Sequence, residues 1–170
     1  MDLKTLRKRL AAEAKVSGIC QEWLEKIKRA PSREYLLHLF QKGLDFAILN
    51  DFPSDALAAE FSDIAPAYGI YINRRNLWTS QGHKKTIARD AHALTYTRGF
   101  EVSEVYALRG SFVEIHASDY AIVYATVYPG ARLRAKAGGF AQIKIINRGG
   151  EVETETTEDP GEASIKVIIP

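Results

Sequence analysis

Apolar and polar residues alternate between Glu101 and Gly150, and the alternation restarts about every ten residues. The five blocks are EVSEVYALRG, SFVEIHASDY, AIVYATVYPG, ARLRAKAGGF and AQIKIINRGG. Their third and fifth positions are almost wholly apolar, and the positions between them are mostly polar or amphipathic. A strand with one buried face has this pattern. Each block therefore predicts one strand of about six or seven residues.

Turn-forming residues end most of the blocks. They are Arg109-Gly110, Asp119-Tyr120, Pro129-Gly130, Gly138-Gly139 and Gly149-Gly150. Such residues permit tight corners, so the strands are expected to follow one another closely. Two arrangements fit: a parallel solenoid in which the blocks stack, or an antiparallel meander in which successive blocks reverse direction.

The first residue of each later block favours the solenoid. Ser111, Ala121, Ala131 and Ala141 are all small. A constant small size matters when these positions stack directly on one another, and it matters less when every second strand is reversed. We therefore expect a short β-solenoid, with the antiparallel meander as the alternative.

A block of about ten residues is too short to complete one turn of a three-sided coil. Either two blocks form one flattened turn, or several chains each contribute a side, in which case the protein is a trimer. A stack also leaves a strand edge at each end, and proteins cover or charge such edges. The helical half would cap one end, whereas the other is followed by acidic residues and a last apolar strand near residues 164–169.

The residues before the repeats have helical spacing and clear breaks. Helices are predicted over about 3–16 and 20–29, and a longer helix is predicted to begin after an N-cap at Ser32. Gly43 is expected to kink or end that helix, and Ser54 to cap a further short one. The fold class is therefore α+β: a helical unit over 1–72, a basic connector over 73–90, and a β-repeat unit with an acidic tail and a final strand over 91–170.

Four short segments precede the repeats in a fixed order. They are Gly43-Leu44-Asp45-Phe46, Asp51-Phe52-Pro53-Ser54, Phe61 and Gly69-Ile70-Tyr71-Ile72. In this order the chain resembles a loose group of small uncharacterised bacterial and phage-borne proteins, in which a short helical unit precedes a repetitive β-stack. The resemblance implies an origin in a phage or another mobile element. It implies no reaction, and no catalytic or ligand-binding residue is carried over from it.

The composition indicates a folded chain that needs no disulfides. The chain has 170 residues, of which 46% are hydrophobic, which is enough to bury a core. The single cysteine, Cys20, has no intramolecular partner and is expected to be buried. The N-terminus lacks the apolar run of a secretory signal, and no stretch of about 18 apolar residues occurs, so we expect a cytoplasmic protein outside the membrane.

The segment after residue 72 is the strongest candidate for a binding site. It combines cations with an aromatic side chain: Arg74, Arg75, Trp78, His83, Lys84 and Lys85. Such a mixture can hold a phosphate and stack on a base. A hydrated linker has a similar composition, and the spacing is not that of a phosphate-binding loop. The formal net charge of +2 does not decide between these interpretations.

Candidate catalytic and metal-binding groups do not form a known pattern. The four histidines are scattered, none has metal-ligand spacing, and no GxSxG motif is present, so no metal, cofactor or catalytic residue is predicted. Glu104 and Glu114 occupy the same block position and would be neighbours if adjacent blocks stacked. A hydrolase would require His83 or His92 beside a carboxylate in a pocket.

Outward aromatic residues are more numerous than a solvated β-face requires. Tyr106, Phe112, Tyr124 and Tyr128 are the predicted protein-contact surface. We therefore expect a non-enzymatic, oligomeric structural or protein-binding module of phage or mobile-element origin. The expected partners are further copies of the chain, with a trimer as one possible homo-oligomer, and an unknown protein. The alternative is a nucleotide- or nucleic-acid-binding inhibitor or sequestering protein that uses the basic segment.

Overall fold

The computed structural model describes residues 1–81, 84–157 and 161–170, and for residues 74–78, 80 and 81 it describes the backbone alone. The chain divides into two compact units, Met1–Ala65 and Pro66–Pro170. The first unit is helical and the second contains all of the described strands. The boundary thus falls seven residues earlier than the expected end of the helical unit at residue 72.

The helices of the first unit begin and end close to the predicted positions. They are α1 (Leu3–Val16), α2 (Gln21–Lys28), α3 (Arg33–Lys42), α4 (Leu44–Leu49) and α5 (Asp55–Ala58), followed by a short 3₁₀ turn at Ala59–Phe61. A second 3₁₀ turn, Ala65–Tyr68, spans the boundary between the two units. The hydroxyl of Ser32 accepts a hydrogen bond from the backbone N–H of Tyr35 at 3.2 Å, which confirms the predicted N-cap of α3. Gly43 ends α3, as its position in the pattern predicted.

Two local predictions in this unit are wrong. Cys20 is exposed because it is the N-cap residue before α2, where its side chain leaves the apolar face of the helix. Ser54 makes no side-chain cap to α5. Instead, its hydroxyl donates to the carboxylate of Glu13 at 2.8 Å, which ties the start of α5 to α1.

The second unit has nine strands in its described residues, and all of the recorded pairings are parallel. The strands are β1 (Ile70–Gln81), β2 (Lys85–Thr97), β3 (Val102–Ala107), β4 (Phe112–Ala117), β5 (Ile122–Val127), β6 (Arg132–Ala137), β7 (Gln142–Asn147), β8 (Glu151–Thr156) and β9 (Ser164–Ile168). Their order is β8-β6-β4-β2-β3-β5-β7-β9, with β1 beside β2. Each repeat strand therefore pairs with the strand two places along the chain.

This order describes a flattened β-solenoid of about 4 turns. Val102 pairs with Ile122, and Ile122 pairs with Gln142, so two ten-residue blocks make one turn. The favoured solenoid is confirmed, and the antiparallel meander is excluded by the parallel pairing. One chain builds both faces of each coil, without a strand from another chain.

The predicted basic connector is largely strand. Most of residues 73–90 lie in β1 and in the first half of β2, and β1 pairs with β2 from Ile70 to Gln81, with an irregularity between Arg74 and Leu77. Strand β2 turns a corner near Asp90, so that its first half lies beside β3 and its second half beside β4. These two long strands were not predicted because the polar composition of the segment is typical of a linker.

Side chains from both faces fill the interior of the solenoid. The inward residues are apolar and almost fully buried, for example Val113 and Ile115 in β4 and Val123 in β5. The small first residues of the blocks lie at the corners, where Ser111, Ala121, Ala131 and Ala141 are also buried. Larger side chains would not fit between the closely spaced coils at these corners.

Candidate functional site

The outward residues of the solenoid form two separate faces. Face A is the outward side of β4, β6, β8 and residues 92–97 of β2, and face B is the outward side of β3, β5, β7 and β9. Strands that are adjacent in sequence therefore lie on opposite faces. Outward residues ten positions apart are not neighbours, whereas residues about twenty positions apart are.

The predicted contact surface is divided between these faces. Tyr106 and Tyr124 lie on face B, Phe112 lies on face A, and Tyr128 follows β5. Tyr124 is 49% exposed, whereas the hydroxyl of Tyr106 donates to Glu104 at 3.2 Å. The four residues therefore do not form one continuous strip.

The pair of glutamates expected from the ten-residue blocks is separated in the same way. Glu104 and Glu114 lie on opposite faces and are not stacked neighbours. Val102 pairs with Ile122 on face B, but Phe112 pairs with His92 and Arg132 on face A.

A histidine and a carboxylate do meet on face A. The Nε2 atom of His92 lies 3.1 Å from Oε1 of Glu114, and the imidazole stacks on the ring of Phe112 with the centroids 4.8 Å apart. The residues that flank this pair in the strand register are Leu77, Leu94, Phe112 and Arg134. None of these four residues carries the hydroxyl or thiol that a nucleophile for acyl transfer would supply.

The predicted anion-binding segment is described in part. Lys84 is exposed, and Lys85 is engaged within the solenoid, because its ammonium lies 3.2 Å from Glu104 and over the ring of Tyr106. His83 lies outside the described residues, as do the side chains of Arg74, Arg75 and Trp78. The described part thus contains one exposed cation and one that already has an acidic neighbour.

Three aromatic rings stack at one corner of successive coils. Phe100, Tyr120 and Phe140 have neighbouring ring centroids 5.1 Å apart and planes within 5° of parallel. They are 84%, 51% and 45% exposed. This column was not predicted from the sequence because Tyr120 and Phe140 end their blocks at turn positions and Phe100 precedes the first block.

Opposite charges pair on face A between β6 and β8. The ammonium of Lys136 lies 2.8 Å from Glu155, Arg134 lies 2.8 Å from Glu153, and Arg132 lies 3.0 Å from Glu151. The hydrogen bond from Lys136 and its positive charge lower the pKa of Glu155 below its usual value. In the same way, the hydrogen bond to Glu153 raises the pKa of Arg134. The first part of the acidic tail expected from the sequence therefore forms β8, whose carboxylates pair with the cations of β6.

The coil formed by β8 and β9, here called the outermost coil, has no further strand beside it in the described part of the chain. Its inward side chains are consequently more exposed than their counterparts in the preceding coil. Val152 and Ile165 are only partly buried, Thr154 is exposed, and Val167 is 42% exposed. The corresponding Leu133 and Ile143 are almost fully buried.

The backbone of the outermost coil has one paired edge and one edge facing away from the solenoid. The N–H of Glu151 donates to Ala131, and that of Ser164 donates to Ala141. Since successive residues of a strand direct their backbone groups to opposite edges, the N–H and C=O groups of Val152 and Thr154 point away from β6. By the same alternation, those of Ile165 and Val167 point away from β7.

Charges on face B are less balanced than those on face A. Lys166 of β9 lies directly beside Lys144 of β7 in the register, and both side chains are exposed. Within the described part of the chain, neither lysine has an ion-pair partner. Like charges on neighbouring strands repel, so this end of face B would be stabilised by a carboxylate.

The helical unit contains a cationic groove of its own. It has a volume of about 750 Å³. Its lining consists of Lys4, Arg7, Lys8, Ala11, Ala12, Lys15, Gln21, Leu24 and Lys28, from α1 and α2. Two of the five cations already have partners, because Arg7 donates to the backbone carbonyl of Ala30 at 2.9 Å and the ammonium of Lys28 lies 2.9 Å from Glu25. The side chains of Lys4, Lys8 and Lys15 are exposed around a floor that includes the buried Leu24.

No group of three or more His, Cys, Asp or Glu side chains in residues 1–81, 84–157 and 161–170 is arranged to hold a metal ion. Within these same ranges, no helix is both long and apolar enough to cross a bilayer.

Comparison with known proteins gives no relative: no protein-family model, curated protein sequence or solved structure matches this chain.

Proposed function

We propose that this protein is a cytoplasmic, non-enzymatic structural module that works as a homo-oligomer, with the solenoid as its rigid scaffold. The observation that supports this proposal is the outermost coil, where two strand edges face away from the solenoid beside exposed apolar side chains. Proteins that remain monomeric usually cover, shorten or charge such edges. The resemblance to phage-borne proteins supports an origin in a phage or another mobile element.

The side chains of this coil indicate whether it is a protein interface or only a protective cap of the core. A cap that only protects the core would have a polar outer surface on both strands. Strand β8 fits that description, since its inward positions include Thr154 and Thr156. Strand β9 does not, because Ile165 and Val167 are apolar and Ile169 beyond it is 81% exposed. This mixture of one polar and one apolar strand favours pairing with another protein surface.

Native mass spectrometry of the purified protein tests the proposal. We expect a closed oligomer without a bound small molecule. A monomer at every concentration up to about 100 µM would contradict it, because a contact weaker than about 5 kcal/mol does not sustain a structural assembly.

A second candidate, binding of a nucleotide or nucleic acid, is favoured by the cationic groove between α1 and α2, together with the basic residues near Lys84. Affinity for an oligonucleotide would then fall steeply with salt concentration. Lys8→Glu combined with Lys15→Glu should weaken binding at low salt by tenfold or more, whereas Lys136→Met on the solenoid should not. Undetectable binding of the unaltered protein at low salt would reject this candidate.

A further inference from the structure

The strands β8 and β9 run in opposite directions, because the chain winds around the two faces of the coil. When two copies meet through their outermost coils, two kinds of two-fold axis are therefore compatible with strand pairing. One places β8 beside the partner's β8, and the other places β8 beside the partner's β9. Both give antiparallel pairs, and both form closed dimers.

Charge distinguishes the two arrangements. Strand β8 presents Glu151, Glu153 and Glu155 on its outward side, so pairing it with a second β8 places carboxylates against carboxylates. Pairing β9 with a second β9 would add lysine to the unbalanced pair of Lys144 and Lys166. Pairing β8 with β9 places a carboxylate strand beside a lysine strand, which is the favourable combination.

We infer that two copies of this chain dimerise through their outermost coils, with β8 of each copy antiparallel to β9 of the other. This inference rests on the proposed homo-oligomer and specifies its interface. The two-fold axis repeats the contact, so that each copy supplies one β8 edge and one β9 edge. The assembly joins the two solenoids into one continuous stack.

The backbone groups restrict the register of this pairing to those in which outward-directed residues face each other, and the pairing of Glu153 with Lys166 selects one of them. Val152 and Thr154 direct their N–H and C=O groups away from β6, and Ile165 and Val167 direct theirs away from β7. Placing Val152 opposite the partner's Val167, and Thr154 opposite the partner's Ile165, makes both into hydrogen-bonded pairs. All four side chains then point into the shared interior, where the exposed fraction of Val167 falls.

The same register places Glu153 opposite the partner's Lys166, on the outer surface. Residues in this position form a non-hydrogen-bonded pair, whose side chains approach closely. On one side of the interface the order of charges becomes Arg134, Glu153 and the partner's Lys166, so that the sign alternates. On the other side, the partner's Glu153 approaches Lys166 and offsets its repulsion with Lys144.

Disulfide cross-linking tests this geometry directly. Non-hydrogen-bonded antiparallel residues have Cα atoms about 4.5 Å apart, which lies within the range of about 4.4–6.8 Å that a disulfide spans. In a Cys20→Ser background, the Glu153→Cys and Lys166→Cys variants are co-expressed, oxidised and analysed on a non-reducing gel. We expect a cross-linked dimer from the pair of variants, and none from either variant expressed alone.

A matched control measures random collision. Thr126→Cys lies on the outward side of β5, away from the outermost coil, and should not cross-link when co-expressed with Glu153→Cys. Cross-linking of Glu153→Cys alone would show that β8 meets β8, and cross-linking of Lys166→Cys alone would show that β9 meets β9. Either result overturns the inferred pairing.

The remaining outcomes separate this inference from the proposed function. If native mass spectrometry shows an oligomer but the two cysteine variants do not cross-link, the interface lies elsewhere and only the inference fails. If the unaltered protein is a monomer, both fail. If its mass continues to grow with concentration, the contact is an open head-to-tail one, which also overturns the closed dimer.

Discussion

Three residues at one corner of successive coils share a left-handed backbone. Gly99, Asp119 and Gly139 have φ values of 62°, 60° and 65°. Asp119 tolerates this conformation partly because its carboxylate accepts a hydrogen bond from the N–H of Gly99 at 3.0 Å. The identity of each residue at this corner thus depends on the backbone of the coil next to it.

Substituting the two glycines separates backbone strain from crowding. A Cβ atom at Gly99 would have no heavy atom within 4 Å, whereas one at Gly139 would lie 3.1 Å from the backbone nitrogen of Asp119. We expect Gly99→Ala to lower the free energy of unfolding by about 1 kcal/mol, and Gly139→Ala to lower it further, because only the latter adds a clash. Urea denaturation measures both, and equal losses would contradict this assignment.

At the scale of a structural element, side chains form ladders across the coils rather than isolated pairs. The aromatic ladder of Phe100, Tyr120 and Phe140 and the charge ladder between β6 and β8 both follow the coil register, with partners 20 and 19 residues apart respectively. A central member of the aromatic ladder contacts a ring on the coil before it and a ring on the coil after it, whereas a terminal member contacts only one. Central and terminal members should therefore differ in their contribution to stability.

The aromatic ladder provides a direct comparison of that kind. Tyr120 stacks on two rings and Phe100 on one. Since an aromatic pair contributes about 0.5–1.5 kcal/mol beyond the burial of its area, Tyr120→Ala should cost about twice the stacking energy of Phe100→Ala. Thermal unfolding of the two variants gives the comparison, with Phe140→Ala, which also loses one stack, as the control. A smaller loss for Tyr120→Ala would show that the rings do not act as a ladder.

The charge ladder predicts a loss of stability in acid. The pKa of Glu155 is lower in the folded chain than its usual value, because Lys136 donates to its carboxylate. The folded state therefore gains stability from this group above the unfolded pKa, and loses that gain as pH falls through the folded pKa. The group is exposed, so the effect should be small and should decrease at high salt.

Lys136→Met supplies the control for this prediction. The substitution removes the cation but keeps an unbranched side chain, so the pKa of Glu155 should rise towards its usual value. Carbon-detected NMR titration of the carboxyl groups measures that pKa in both proteins. An unchanged pKa in the variant would show that Lys136 does not hold the carboxylate of β8.

At the scale of the whole molecule, the strands could be predicted from the sequence because alternation is a local property. The strand from Phe112 to Ala117 lies within the second block, and the small residues Ala121 and Ala131 occupy the corners expected of a stack. The pairing of coils is not local. A ten-residue block looks the same on either face, so the pattern could not show that Phe112 belongs beside His92 and Arg132 rather than Val102 and Ile122.

The candidate interface was only partly predictable for a related reason. The final apolar strand and the acidic residues before it were visible in the sequence, but their relation to each other was not. Only the register shows that Glu153 lies beside Arg134 and that Lys166 lies beside Lys144. Residues 73–90 were misassigned because their arginines, asparagines and lysines obscure the alternation by which β1 and β2 would have been found.

A proline at Thr154 distinguishes a dimer joined through backbone pairing of the outermost coils from any other association of two copies. The N–H of Thr154 points away from β6, so Thr154→Pro removes an intermolecular donor without removing one from the solenoid. Thr154→Val keeps the N–H and the branched shape, and serves as the control. Both variants are compared with the unaltered protein.

Sedimentation equilibrium over a range of concentrations makes the measurement. We expect a dimer for the unaltered protein and for Thr154→Val, and a dissociation constant at least tenfold higher for Thr154→Pro, because the two-fold axis removes two hydrogen bonds of about 1 kcal/mol each. A Thr154→Pro protein that dimerises as tightly as the unaltered protein would show that the edge of β8 does not join the two copies.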